Sequence, residues 1–143
     1  MWQLRFLSTS LLALTLCAAA SGVSAKRGMA LYEGKEPLPG RIRGQDDLLP
    51  AETVRCANCH SPRNASRLSG KTAVPLDAAW LLEPRSRRAG PPSSFDQPSF
   101  CRLLRSGIDP VHIMIARQMP TYDLSDDQCA SLWKFVTVKG SAQ

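Results

Sequence analysis

The chain has 143 residues, with 18 Lys and Arg against 12 Asp and Glu, and a net charge of +6 when both histidines are neutral. This length allows one domain of ordinary size and leaves no room for a second core. Because 43% of the residues are hydrophobic and 21% are charged, the composition excludes a disordered tail protein, a collagen-like chain and a multi-span membrane protein.

The first 25 residues have the pattern of a secretory signal peptide. Arg5 precedes an apolar run from Phe6 to Ala20, and Val23 and Ala25 place small residues at the two positions that a signal peptidase reads. The apolar run is shorter than the ~20 residues that a transmembrane helix needs. We therefore predict a cleaved signal and export to the periplasm.

Cleavage after Ala25 would leave a single mature domain over residues 26–143, with no membrane span. Two alternatives remain open. The signal could stay as an uncleaved anchor, or the chain could be a lipoprotein attached through Cys17, although Leu16 is bulky for the residue before a lipidated cysteine. Cleavage would place the mature protein in an oxidising compartment.

The next elements in the chain are a short helix and a long loop. One or two helical turns are predicted between Gly28 and Gly34. From Glu36 to Thr53 the sequence is charged and rich in proline and glycine, which is typical of a loop.

Two cysteines then stand in the sequence Cys56-Ala57-Asn58-Cys59-His60. Residues three apart lie on one side of a helical turn, so Cys56 and Cys59 can both reach the two vinyl groups of a haem. His60, one position further, can present its imidazole to the iron. The spacing is typical of c-type haem attachment, and it predicts one covalent haem c as the cofactor.

Two other uses of these thiols are chemically conceivable. The first is a four-thiolate zinc site, with ligands from Cys56, Cys59, Cys101 and Cys129. It would leave His60 without a role, and it lacks the second closely spaced cysteine pair of most zinc ribbons. The second is a thioredoxin-like dithiol, which needs a βαβ context that the sequence does not have.

Three more helices are predicted downstream, together with a basic loop. The helices run from Leu76 to Glu83, from a cap at Ser99 to a stop at Gly107, and onward from a capping box formed by Ser125 and Gln128. The basic loop between the first two carries Arg85, Arg87 and Arg88. No segment shows a sustained strand alternation, so the sequence predicts an all-α fold.

The chain also resembles the monohaem class I cytochromes c, over most of residues 28–138. The matching positions are Gly28, Tyr32, the motif at 56–60, Phe100 to Gly107, Met119-Pro120, Leu132, Trp133 and Phe135. The resemblance implies a bundle of short helices wrapped round one haem. It implies an electron carrier that works between partners such as a dehydrogenase and an oxidase. The 36–53 segment departs from the family, in which the first helix runs almost straight into the haem motif.

In that family a thioether ligand reaches the iron from the face opposite the histidine, out of a loop before the last helix. Met119 matches that place. A residue before proline is pushed away from helical angles, so Met119 should lie in extended loop backbone that Pro120 stiffens. Family members often orient the histidine with a proline carbonyl, and Pro75 is the candidate by position.

His112 and Met114 are the alternative iron ligands. Asp109 and Pro110 have the pattern of a helix start, which would place Met114 on an apolar face as a core residue. His112 would instead give a bis-histidine iron of lower reduction potential.

Cys101 and Cys129 lie near the starts of two predicted core helices. Exported proteins seldom leave two cysteines unpaired, which favours a disulfide between them. The alternative is two free cysteines that pack as small hydrophobic residues.

The positive charge predicts a redox partner with an acidic docking surface, because a basic surface accelerates such an encounter. Arg85, Arg87 and Arg88 either contact the haem propionates or form a solvated loop. The sequence has no basic stripe with interleaved aromatic residues, so it does not predict nucleic-acid binding. It contains no other catalytic motif. The alternative to an electron carrier is a haem enzyme, or a haem-binding sensor or subunit, such as a subunit of a dehydrogenase complex, with a displaceable sixth ligand.

Overall fold

The structure is a computed structural model and describes residues 22–61, 74 and 76–138. Its helices are α1 (Ala25–Glu33), α2 (Cys56–His60), α3 (Ala78–Leu82), α4 (Gln97–Ser106) and α5 (Asp126–Thr137). Its strands are β1 (Gly40–Arg41), β2 (Arg85–Ser86), β3 (Pro92–Ser93) and β4 (Thr121–Tyr122). None of the helices in these ranges has the length and apolar character needed to cross a bilayer.

The prediction of an all-α, class I cytochrome c-like bundle is wrong. About 39% of the described residues are helical and about 10% form strands or bridges. Strand β1 pairs antiparallel with β4, with Gly40 opposite Tyr122, and β2 pairs antiparallel with β3. Each strand has only two residues, which is too short for an alternating pattern to reveal it. The fold is therefore mixed, and β1 lies inside the segment that was predicted to be only loop.

Helix α1 packs closely against α5. A Cβ atom added at Gly28 would lie 2.0 Å from the carbonyl oxygen of Ser131, so only glycine allows the two backbones to approach this far. The rings of Tyr32 and Phe135 meet nearby, with their centroids 5.3 Å apart. Ser24 is the N-cap of α1 and accepts a hydrogen bond from the Arg27 amide at 3.2 Å.

The caps of the later helices follow the sequence in most cases. The capping box of Ser125 and Gln128 at α5 is confirmed, and so is the stop of α4 at Gly107, whose φ is 72°. The start of α4 differs, because Asp96 is the N-cap and Ser99 is the third helical residue that bonds back to it. Asp77 caps α3, which is shorter than predicted.

Helices α4 and α5 are joined through Cys101 and Cys129. The two sulfurs lie at disulfide distance, with 5.8 Å between the Cα atoms, and both residues are buried. They therefore lie in the core, whose buried hydrophobic members also include Leu31, Leu38, Val54, Leu81, Phe95, Phe100, Leu103, Leu104, Tyr122, Leu132 and Val136.

The helix predicted to start at Asp109 and Pro110 is not formed. The Asp109 carboxylate oxygen Oδ1 accepts hydrogen bonds from the amides of Val111 at 3.0 Å and Ile113 at 2.7 Å. The Asp109 amide in turn donates to the Ile113 carbonyl at 3.0 Å. Side-chain bonds of this local kind compete with helix formation, and here they fold the chain into a tight loop.

Candidate functional site

Helix α2 presents two thiols on one short turn. Cys56 is half-buried and Cys59 is exposed, and neither is in a disulfide. The Asn58 side chain donates to the carbonyl of Glu52 at 2.7 Å, which ties the turn to the preceding loop. Burial raises the pKa of the Cys56 thiol to about 11, so this sulfur is protonated at neutral pH.

His60, at the end of α2, is oriented by a backbone carbonyl. Its Nδ1 atom lies 2.8 Å from the carbonyl oxygen of Val74. Because a carbonyl can only accept, Nδ1 carries the hydrogen and Nε2 keeps a lone pair. Burial lowers the pKa of the ring, against the opposing effect of the Val74 bond. This is the arrangement of a histidine that is ready to bind a metal.

The described hydrogen-bond partner of His60 is Val74, next to the residue that the family resemblance implies. Pro75, the predicted source of the carbonyl, lies outside the described residues. The carbonyl of Val74, one position earlier, accepts the hydrogen bond. The expectation for Pro75 rests on the family resemblance alone. The local sequence gives no signal that distinguishes Val74 from Pro75 as the source of the carbonyl.

Met119 lies in a loop, as its position before proline predicts. Its amide donates to the carbonyl of Ala116 at 3.1 Å, which makes it the last residue of a turn. Its side chain is half-buried and packs against the core. Pro120 follows, and the chain then enters β4.

Two cavities meet at His60 and Met119. The first has a volume of about 380 Å³ and is also lined by Cys56 and Cys59. The second has a volume of about 330 Å³ and lies towards the basic loop. Leu76, Phe100 and Leu104 line both cavities. Each volume falls in the ~300–1,000 Å³ range of small-molecule and cofactor sites. The structure thus brings all four predicted site residues to the wall of one cavity.

The alternative iron ligands lie elsewhere. His112 is exposed, with a left-handed φ of 64°, and the Met114 residue is 57% exposed. Neither residue lines either of these two cavities. The prediction that Met114 is a core residue is therefore wrong, because the helix that would have turned it inward is replaced by the Asp109 loop. The zinc alternative also loses two of its four thiols, since Cys101 and Cys129 pair with each other.

Arg87 lies at the wall of the second cavity. It is 9% exposed, and its Nη2 donates to the carbonyl of Trp80 at 2.6 Å while its Nη1 donates to the carbonyl of Ser93. Its guanidinium carbon lies 4.9 Å from the centre of the Phe95 ring. Burial lowers its pKa. The Nε atom is buried and has no hydrogen-bond partner among the described residues.

The other two arginines of the basic loop differ from Arg87. Arg85 lies with its guanidinium carbon 4.5 Å from the centre of the Trp80 ring, and it donates to the carbonyl of Ala79 at 2.9 Å. Arg88 is exposed and lines the second cavity. The loop is thus only partly solvated, and both a buried arginine, Arg87, and an exposed one, Arg88, border the cavity.

Sequence reasoning missed two residues at this site. Asp109 is 1% exposed and lines the second cavity, and its Oδ2 atom has no hydrogen-bond partner in the described part of the chain. The hydroxyl of Tyr122 donates to the carbonyl of Val54 at 2.8 Å, just before the cysteine motif. The Asp109 sequence pattern was interpreted as a helix cap, and nothing local marks Tyr122 as a partner of Val54.

Comparison with known proteins finds no matching family model, no similar curated protein and no similar solved structure. Within residues 22–61, 74 and 76–138, no three His, Cys, Asp or Glu side chains gather as a metal site. The candidate site instead offers a metal one imidazole and one thioether.

Proposed function

We propose that this protein is an exported one-electron carrier that holds a single c-type haem through thioether bonds to Cys56 and Cys59. The observation that carries the proposal is that Met119, which is far from the cysteine motif in the sequence, lines the same cavity as Cys56, Cys59 and His60. A c-type haem, when bound, supplies an iron that takes up and releases one electron.

The residues of the cavity fit such a group in their chemistry. Cys56 and Cys59 are thiols outside any disulfide, with the spacing that two thioether bonds require. The Nδ1–H of His60 is held by Val74, so Nε2 is the atom that would bind iron. Met119 offers a soft sulfur from a stiff loop, and methionine ligation raises the reduction potential of the iron.

This ligand set supports electron transfer over bond chemistry. If His60 and Met119 both held the iron, no position on it would be left for a substrate. The apolar side chains that line both cavities, Leu76, Phe100 and Leu104, would give the group surroundings of low polarity. Cys59 is exposed at the wall of the first cavity, which would leave one edge of the group near the surface for exchange with a partner.

The arginines of the second cavity support a place for the carboxylates of the group, although the buried carboxylate of Asp109 at the same cavity would oppose them. Arg87 offers a buried Nε–H that has no partner within the described residues, and a carboxylate is the acceptor that a guanidinium prefers. Around the first cavity, Arg55 is exposed. Together with the net positive charge, this supports a redox partner with an acidic docking surface.

The first test is the replacement of Met119 by alanine in protein produced in a host that matures c-type haem. The wild type should carry one haem by intact mass and give a low-spin spectrum with the weak sulfur-to-iron band. Met119→Ala should lose that band, bind carbon monoxide or cyanide, and show a lower reduction potential.

Met114→Ala is the matched control, because Met114 is an exposed methionine of the preceding loop. Its spectrum should equal that of the wild type. A wild-type protein that matures without haem would refute the proposal. A haem protein with no sulfur-to-iron band that binds carbon monoxide without mutation would favour the enzyme or sensor alternative.

A further inference from the structure

The 36–53 segment is fixed to the helices at its start. The Glu36 carboxylate accepts hydrogen bonds from Arg27, the shortest at 2.7 Å, and from the Gln128 side chain at 3.3 Å. These contacts tie the segment to α1 and α5 together. Leu38 is buried in the core two residues later. The segment therefore leaves the helices from a defined position.

The segment then runs beside the residues that follow Met119. Strand β1 pairs with β4, and the amide of Asp123 donates to the carbonyl of Pro39 at 2.9 Å. The guanidinium of Arg41 forms an ion pair with the Asp123 carboxylate. The C-terminal end of the Met119 loop is thus held by backbone hydrogen bonds from this segment.

Arg43 reaches the other end of the same loop. Its Nη2 atom donates to the carbonyl of Ile115 at 3.0 Å, and its Nη1 atom donates to the carbonyl of Gly107 at 3.4 Å. The amide of Ile115 itself donates to the Gly107 carbonyl at 2.9 Å. Arg43 therefore closes the base of the 107–115 loop, directly before Ala116, whose carbonyl accepts the hydrogen bond of the Met119 amide.

We propose that Arg43 is a positioning residue for Met119. The 36–53 segment holds the chain after Met119 through β1 and the chain before it through Arg43. Movement of this loop would make it easier for the thioether to leave a metal. The hydrogen bonds of Arg43 at one end and the ion pair of Arg41 with Asp123 at the other oppose that movement. The inference rests on the proposed function, because it concerns the ligand that Met119 would supply.

The test is the displacement of Met119 by imidazole in the ferric holoprotein, followed by loss of the sulfur-to-iron band. Replacing Arg43 by glutamine should tighten imidazole binding about tenfold, the value of one charged hydrogen bond in an equilibrium constant. Arg105→Gln is the matched control, because Arg105 also donates to a backbone carbonyl, that of Leu124 at 3.2 Å. Arg105→Gln should bind imidazole as the wild type does.

If Arg43 has a purely structural role, Arg43→Gln should be less stable to unfolding but should bind imidazole with the same affinity as Arg105→Gln. That result would overturn the inference. If Arg43→Gln does not accumulate as holoprotein, Arg43→Lys decides the question. Lysine keeps the charge but reaches only one of the two carbonyls, so Arg43→Lys should bind imidazole about threefold more tightly than the wild type. Equal imidazole affinities of Arg43→Lys and the wild type would overturn the inference. A wild type without a sulfur-to-iron band would instead mean that the proposed ligation itself fails.

Discussion

On the two sides of this molecule the local backbone is set by contacts of different range. Helices α1, α4 and α5 begin at side-chain caps and pack through a glycine contact and a cysteine pair. The Met119 side is loop and two-residue strands, and its hydrogen bonds join residues far apart in the sequence. Arg43 donates to the carbonyl of Ile115, and the hydroxyl of Tyr122 donates to the carbonyl of Val54. The helical side is thus a scaffold with local signals, while the loop side depends on partners brought to it by the fold.

The largest test of the helical side is the removal of the Cys101–Cys129 pair. For the sequence separation of 28 residues, the chain-entropy account gives about 3–4 kcal/mol of stability to the cross-link. The double variant Cys101→Ala, Cys129→Ala should lose about this much in urea unfolding of the holoprotein.

Reduction of the wild type supplies the control for the disulfide. With the haem iron kept ferrous in every sample, a strong thiol reductant should lower the unfolding midpoint of the wild type towards that of the double variant and leave the double variant unchanged. If the wild-type midpoint is insensitive to reductant under conditions that expose the pair, the two cysteines are not bonded in solution.

A smaller effect is expected from Gly28→Ala at the contact of α1 with α5. The added methyl would meet the Ser131 carbonyl oxygen at 2.0 Å and the Cβ of Phe135 at 2.7 Å, so the helices must separate. We expect a loss of about 1–3 kcal/mol by thermal or urea unfolding. Met29→Ala, at an exposed neighbour on the same helix, should stay within about 0.5 kcal/mol.

Alanine has a higher helix propensity than glycine by about 1 kcal/mol. A Gly28→Ala variant more stable than the wild type would therefore show that the two backbones do not approach as closely as the structure has them.

The smallest of these effects tests the loop side through Tyr122→Phe. This change removes the hydroxyl that donates to the Val54 carbonyl at 2.8 Å and leaves a buried acceptor without its partner. We expect a loss of about 1–2 kcal/mol in urea unfolding. Tyr32→Phe is the control, because Tyr32 contributes mainly its ring contact with Phe135. Equal losses in the two variants would mean that the Tyr122 hydroxyl contributes no stability.

The difference in range also explains what the sequence could predict. The capping box at Ser125 and Gln128 and the stop at Gly107 depend on neighbours within one turn, so their signals lie side by side in the chain. Asp109 is the opposite case, because an aspartate can either cap a helix or close a tight loop. Here its carboxylate accepts from the amides of Val111 and Ile113, so it closes a loop.

At the candidate site, the cysteine motif predicted that its own two thiols and the imidazole would be neighbours, because they share one turn. The presence of Met119 at the same cavity was an expectation from the family resemblance. The contributions of Arg43 and Tyr122 could not be predicted, because each donates to a backbone carbonyl oxygen. Every residue type has such an oxygen, so the sequence does not mark which one is the acceptor. The two-residue strands were missed for the same reason, because backbone pairing of this length leaves no side-chain pattern.

The N-cap of α1 lies beside the predicted signal-peptide cleavage site, so cleavage there would change how this helix begins. Ser24 caps the helix, its amide donates to the Ser131 hydroxyl at 3.3 Å, and Lys134 donates to the carbonyl of Val23 at 3.5 Å. A peptidase that cuts after Ala25 would remove these contacts and leave a new ammonium group at the positive end of the helix. The choice of scissile bond would then set how firmly the first helix docks, by about 0.5–2 kcal/mol for the cap alone.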